Sequence, residues 1–350
     1  MNRQVRIWLL VGVVMIIIQM VLGAITRLTG SGLSITRWDI VMGSLYPMSD
    51  ASWDHYFSLY KETPQYQKIN QGMSIDEFKF IFFWEFFHRL WARIMGFVFL
   101  FPFIYFLGKK YLNRKLVVNL LWVIIMAIIV ASLGWIMVAS GLVDRPWVNA
   151  YKLSFHLSVA MILLLLLIKT YIDYISIDVF IEKRILLFRR NMLWIIFVLS
   201  FFQFFLGGIM SGMKAALVAP TWPLINESLV PIYSINIFKM ATYLSGTYEE
   251  SSIAPLIIQF WHRTIAYCIF GLVLFFVIIS YIRNLISKKE SLLFLVLVSI
   301  QIVLGIFTLL YSVGKIPLLF GAMHQFVAIL FVSSSFVFWY KYCVLKQVEE

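Results

Sequence analysis

The chain has 350 residues, of which 62% are hydrophobic and only 13% charged, with a formal net charge of +12. An ordinary soluble domain is about one-quarter charged, so this composition excludes a soluble globular protein and a disordered one, and it points to a polytopic membrane protein. Two cysteines far apart, Cys268 and Cys343, exclude a disulfide scaffold and any Cys-rich metal or cluster site.

Crossing the hydrocarbon core takes about 20 apolar residues. Eight stretches qualify: 7–26, 80–107, 117–140, 154–172, 192–212, 254–282, 292–312 and 320–340. The first is too long for a signal-peptide core, and Arg27 follows it instead of a small-residue cleavage site. Without an Arg- and Ser-rich transit segment, a bacterial inner membrane is the natural location. Eight spans put both termini on one side. That side carries fifteen cations, mostly in short loops: Arg3, Arg6, Lys109, Lys110, Arg114, Lys115, Lys183, Arg184, Arg189, Arg190, Arg283, Lys288, Lys289, Lys341 and Lys346. The other side has ten cations balanced by ten acids over longer loops. The positive-inside rule therefore predicts cytoplasmic termini, and the excess charge needs no nucleic-acid partner.

Two long outer loops follow, at about 28–79 and 213–253. In the first, Trp53, Tyr56, Phe57 and Tyr60 read as one face of an amphipathic helix, lying at the interface or forming a solvated lid. His55, beside Asp54, reads as a surface residue.

The chain also repeats itself. Gln19-Met-Val-Leu22-Gly23 in span 1 matches Gln203-Phe-Phe-Leu206-Gly207 in span 5, and Phe87-His88-Arg89 in span 2 matches Trp261-His262-Arg263 in span 6. Leu133-Gly134 matches Leu304-Gly305, and His156 matches His324. Four spans is an even number, so this is a parallel repeat. The expected fold is all-α, with eight transmembrane helices as two pseudo-symmetric four-helix bundles. The domains are 1–175 and 176–350. The Leu-Gly pairs read as sites of close helix approach or a kink.

Four of the five histidines fall at repeat-related places in the outer part of even spans. One intramembrane histidine reads as a packing residue; four in two matched pairs read as axial ligands for haem, His88 with His156 and His262 with His324. Zinc fits less well, because no third ligand completes a set in the second half. The halves differ at one place. Glu85 stands three residues before His88, whereas Gln259 stands before His262. The first site thus has an acid/base or electrostatic group where the second has an amide, unless Glu85 only pairs with Arg89 or Arg93 to hold the helix. On this logic the first site reacts and the second holds a cofactor. Arg89 and Arg263 are placed to meet haem propionates or, alternatively, lipid headgroups.

These residues resemble the haem A synthase family, in the branch shared by mitochondria and many Gram-negative bacteria. The resemblance covers nearly the whole chain. It rests on Gly32-Leu33-Ser34-Ile35 with Trp38, Tyr60-Lys61-x-Thr63-Pro64-x-Tyr66, Glu77-Phe78-Lys79 running into Glu85-x-x-His88-Arg89, and Thr221-Trp222-Pro223-Leu224 with Pro231. It implies that the second bundle binds a haem b cofactor through His262 and His324. It implies that the first takes haem O between His88 and His156, with Glu85 as the functional carboxylate. The reaction implied oxidises the C8 methyl of haem O to a formyl group by successive hydroxylations, giving haem A for cytochrome oxidase. That is an iron-porphyrin biosynthesis and oxidase assembly step. Glu85 would either stabilise developing positive charge or activate the water that supplies oxygen. Haem O synthase and an electron acceptor are candidate partners. The Gram-positive branch has a cysteine pair in the first outer loop that this chain lacks. Two other readings compete: a di-haem b cytochrome for quinol-linked electron transfer, and a transporter of two parallel repeats, which uniformly apolar spans argue against.

Overall fold

In the computed structural model the described residues are 2–36, 45–143, 145–175, 179–180, 186–231, 236–245, 248–343 and 347–348. Trp38 of the first outer-loop motif lies outside them. Among the described residues eight helices are long and apolar enough to cross a membrane. They are α1 (Arg3–Leu28), α4 (Ile75–Gly108), α5 (Arg114–Ala139), α6 (Ala150–Ile175), α7 (Leu186–Gly212), α9 (Ala254–Arg283), α10 (Lys288–Leu310) and α11 (Leu318–Cys343). Six contain an expected span whole, and α5 and α10 end one and two residues short of the expected 140 and 312. Three shorter helices lie in the long loops: α2 (Asp50–Lys61), α3 (Pro64–Lys68) and α8 (Ile237–Leu244). The protein is therefore a multi-pass membrane protein whose apolar side chains, among them Phe101, Trp122, Ile128 and Trp135, face outward as lipid-facing surface.

Helix starts follow ordinary capping chemistry. Asn2, Ser49, Thr63, Ser74, Asn113 and Ser287 each accept a hydrogen bond from a first-turn amide. Ser74 and Glu77 form a capping box, with Glu77 accepting from the Ser74 amide at 2.8 Å. This starts α4 at Ile75, five residues before its apolar run, so its first turns stand beyond the span.

The chain divides into two compact units, Met1–Thr170 and Tyr171–Glu350. In the first, Trp8 donates to the Val98 carbonyl and Trp91 to the Met15 carbonyl, both at 3.1 Å, locking α1 against α4. Gly12 lets α1 approach α6, since a Cβ there would sit 3.1 Å from Leu167. Above them, α2 buries Trp53, Phe57 and Tyr60 on α4, where Phe78 and Phe82 meet them ring to ring and Phe86 stacks on Phe82. The amphipathic helix expected in the outer loop is thus the cover of an aromatic cluster. His55 is exposed on its other side.

The core of the second unit is built from Leu193, Ile269, Val273, Phe276, Phe294 and Phe331. At one end Arg189 donates to the Leu285 and Tyr342 carbonyls, and Lys341 pairs with Glu290 at 2.8 Å, tying α7, α10 and α11 together. Two-residue strands, Val179–Phe180 and Gln347–Val348, pair in parallel.

Candidate functional site

The first unit's site is arranged along one face of α4. Residues three and four apart share a helix face, so Glu85, His88 and Arg89 project together. Glu85 is 3% exposed. Its Oε2 accepts from the Ser34 amide at 2.7 Å, the Ser34 hydroxyl at 2.7 Å and the Ile35 amide at 3.0 Å. Its Oε1 accepts from Arg89 at 2.5 Å. Arg89 also donates to the Ile35 carbonyl at 3.3 Å. The loop after α1 therefore turns two backbone N–H groups toward the carboxylate, and Gly32-Leu33-Ser34-Ile35 is the segment that supplies them. Every one of these contacts uses Glu85 as an acceptor, the role an ionised carboxylate fills.

The second unit reverses this polarity. Gln259, fully buried, donates through Nε2 to the Ala215 carbonyl at 3.2 Å and the Ala219 carbonyl at 3.1 Å. Here the loop turns carbonyl oxygens inward, so an amide fits and a carboxylate would be repelled. Arg263 donates to the Thr221 carbonyl at 2.5 Å and the Leu224 carbonyl at 3.1 Å, clamping the Thr221-Trp222-Pro223-Leu224 segment. Trp222 donates to the Tyr267 hydroxyl at 2.9 Å. Each arginine thus binds the long loop of its own unit.

The histidines stand where expected on α4, α6, α9 and α11, each partly accessible. The His262 and His324 rings lie 6.4 Å apart, centroid to centroid, at 66°. His88 and His156 are within electrostatic reach of each other. All four imidazoles lie over a glycine of a neighbouring helix. A Cβ at Gly23 would be 3.3 Å from His88, at Gly134 3.0 Å from His156, at Gly207 3.3 Å from His262, and at Gly305 2.9 Å from His324. The glycines expected to bring helices together instead clear room for imidazole rings. A glutamine one turn before three of these glycines reaches the same ring. Gln19 Nε2 lies 3.0 Å from His88 Nε2, Gln203 Nε2 3.1 Å from His262 Nδ1, and Gln301 Nε2 3.2 Å from His324 Nε2. The glutamines' positioning role was not foreseen, though the signal was present: Gln-x-x-Leu-Gly occurs at 19–23, 203–207 and 301–305.

Residues 6–336 match the family described as cytochrome oxidase assembly protein, COX15-CtaA. The chain belongs to this family. It is also similar to proteins named heme A synthase across almost its whole length. One from Flavobacterium psychrophilum is 38% identical, covering 95% of this chain and 96% of its own. One from Flavobacterium johnsoniae is 37% identical over 95% and 96%. One from Pelagibacter ubique is 37% identical over 97% and 96%.

The family is haem-related, and the residues fit such a group. Each unit offers two imidazoles, and among the described residues no three His, Cys, Asp or Glu side chains gather as a metal site. Two donors suit a metal whose other positions a macrocycle fills. The glycine cradles leave the rings unobstructed. Gln19, Gln203 and Gln301 each keep a buried amide oxygen with no hydrogen-bond partner. An amide rotation would turn that oxygen into the acceptor that a metal-bound imidazole's free N–H requires.

Proposed function

We propose that this chain converts haem O to haem A in a bacterial inner membrane, oxidising the C8 methyl of haem O to a formyl group. The observation that carries this reading is the difference between the units. An anchored carboxylate stands one turn from His88, and an uncharged amide stands one turn from His262. Haem O is the substrate of the first unit, with His88 and His156 as its axial ligands. His262 and His324 hold haem b, which supplies one-electron redox chemistry when bound.

Two successive hydroxylations take the methyl to a hydroxymethyl and then to a geminal diol, and loss of water leaves the aldehyde. Each removes two electrons and two protons from the carbon and its oxygen source. Glu85 serves as a fixed negative charge beside the macrocycle, stabilising positive charge that develops as electrons leave. Its engagement favours this over a role as general base. Oε2 already takes three donors and Oε1 takes Arg89, which restricts its access to a water proton. Arg89 holds the carboxylate in place and ties it to the loop. Haem O synthase, a membrane electron acceptor and the lipid phase are the partners this chemistry calls for.

The test is a pigment inventory. The protein is expressed in a host that makes haem O, purified in detergent, and its pigments are extracted and weighed by mass spectrometry. Haem b together with haem O, a hydroxylated form or haem A is expected. Two haem b per chain, with no other pigment, would overturn the reading in favour of a di-haem electron-transfer cytochrome.

A further inference from the structure

The odd-numbered spans carry one motif with one exception. Gln19-Met-Val-Leu-Gly23, Gln203-Phe-Phe-Leu-Gly207 and Gln301-Ile-Val-Leu-Gly305 each place a glutamine and a glycine one helical turn apart, on the face that meets a histidine. The fourth copy, on α5, reads Val130-Ala-Ser-Leu-Gly134. Its glycine still lies under His156, with a Cβ position 3.0 Å from the ring. Its glutamine has been replaced by an aliphatic side chain that can form no hydrogen bond.

The contacts follow the sequence. His324 is held twice by Gln301: its Nδ1 lies 3.1 Å from the Gln301 carbonyl and its Nε2 3.2 Å from the side-chain amide. His262 is held by Gln203, which also donates to the His262 carbonyl at 2.8 Å. His88 is held by Gln19 in the same way, at 3.0 Å and 3.3 Å. His156 stands apart. The Val130 carbonyl is near it, yet His156 Nδ1 is buried with no hydrogen bond of good geometry. Three of the four imidazoles are therefore buttressed by a side-chain amide, and His156 is not.

A metal-bound imidazole is fixed in orientation, and its affinity raised, by the partner of its other nitrogen; losing such a partner weakens binding by about 10–100-fold. The two units need opposite behaviour, on the reading given above, which this inference rests on. A cofactor must stay, and a substrate must arrive and its product leave. We infer that the residue at this one place, Gln301 in α10 and Val130 in α5, sets retention in the second unit and exchange in the first, with His156 as the ligand that lets go. Gln301 and Val130 are positioning residues: they act through His324 and His156.

The experiment compares the wild type with Gln301→Leu and Val130→Gln in detergent, each mixed with excess apomyoglobin as haem scavenger. Pigments transferred to the scavenger are extracted and identified by mass, so haem b is followed separately from haem O and haem A. Carbon monoxide is added to the dithionite-reduced proteins, since it binds only where an axial ligand has been released. Gln301→Leu removes the side-chain contact and leaves the main-chain carbonyl on His324 Nδ1; it is expected to lose haem b faster, by about 10-fold, and to gain a carbon monoxide spectrum that the wild-type haem b lacks. Val130→Gln is expected to slow release of haem O and haem A by a similar factor and to raise the amount that co-purifies. Should Gln301→Leu fail to fold, Val130→Gln decides alone, because it adds a contact. Unchanged release from both variants, with wild-type haem b present, would overturn the inference and leave the proposed function standing. A wild-type protein that binds neither pigment would overturn the proposed function itself.

Discussion

Glu85 and Arg89 form a nearly enclosed ion pair, with side chains 3% and 14% exposed. Removing one partner of such a pair leaves a charge that must find another, a loss of about 3–5 kcal/mol when burial is complete. Glu85→Gln is therefore expected to cut haem A formation by about 100-fold while haem b occupancy stays normal, both read from one pigment extract. Unchanged haem A output would remove Glu85 from the reaction. The glycine cradles make a sharper test of geometry. Gly305→Ala places a methyl 2.9 Å from His324 Cε1, an overpacking of about 1–3 kcal/mol that is expected to displace the ring and lower haem b occupancy. Gly271→Ala, whose methyl meets nothing within 4 Å, is the control and should behave as wild type. The four histidines and the Glu85–Gln259 contrast were legible because each is an ionisable or hydrogen-bonding group in an apolar span, where burial demands a reason. The role of the glycines was harder to read. A glycine in a membrane helix ordinarily marks helix packing, and only the fold shows that an imidazole occupies the space.

The first outer loop shows how an element is fixed by its neighbours. Tyr60 of α2 is fully buried, donates to Gln65 Oε1 at 3.1 Å and accepts from Asn70 at 2.7 Å, while Gln65 donates to the Gly30 carbonyl at 3.0 Å. These contacts join α2, α3 and the end of α1 next to the Ser34–Ile35 segment that holds Glu85. Burial is the main reason the Tyr60 phenol is pushed up to about 12. The protonated form is thus favoured by folding, so its contribution is whole below the ordinary tyrosine value of about 10 and is lost as pH rises toward 12. Protease cleavage within 50–68, followed against pH, should stay slow to pH 10 and rise above it. In Tyr60→Phe that rise should flatten and cleavage should be faster throughout. Amphipathicity alone announced a helix through Trp53, Tyr56, Phe57 and Tyr60. It did not announce what the helix covers, because period 3.6 is the same for a helix facing lipid and one facing aromatic side chains. Ser74 and Glu77 show a purely local determinant: their capping box explains why α4 begins before its apolar run.

At the scale of the whole molecule, eight spans were legible because about 20 apolar residues leave few alternatives to a crossing helix. Charge placement carries a further expectation: reporters fused at either terminus should be active only on the cytoplasmic side, and periplasmic activity at one end would break the eight-span count. The outer-loop polarity was not legible, because which backbone groups turn inward depends on loop conformation and leaves no mark in residue type. That polarity limits which side chain each unit accepts at this position. Exchanging Glu85 and Gln259 would set an amide N–H₂ against the Arg89 guanidinium once the amide oxygen takes the Ser34 and Ile35 donors, and a carboxylate against the Ala215 and Ala219 carbonyls. Neither half can become the other by one substitution, since the main chain around it has already taken sides. The difference between the two units is stored as much in the direction of their peptide groups as in the side chains those groups face.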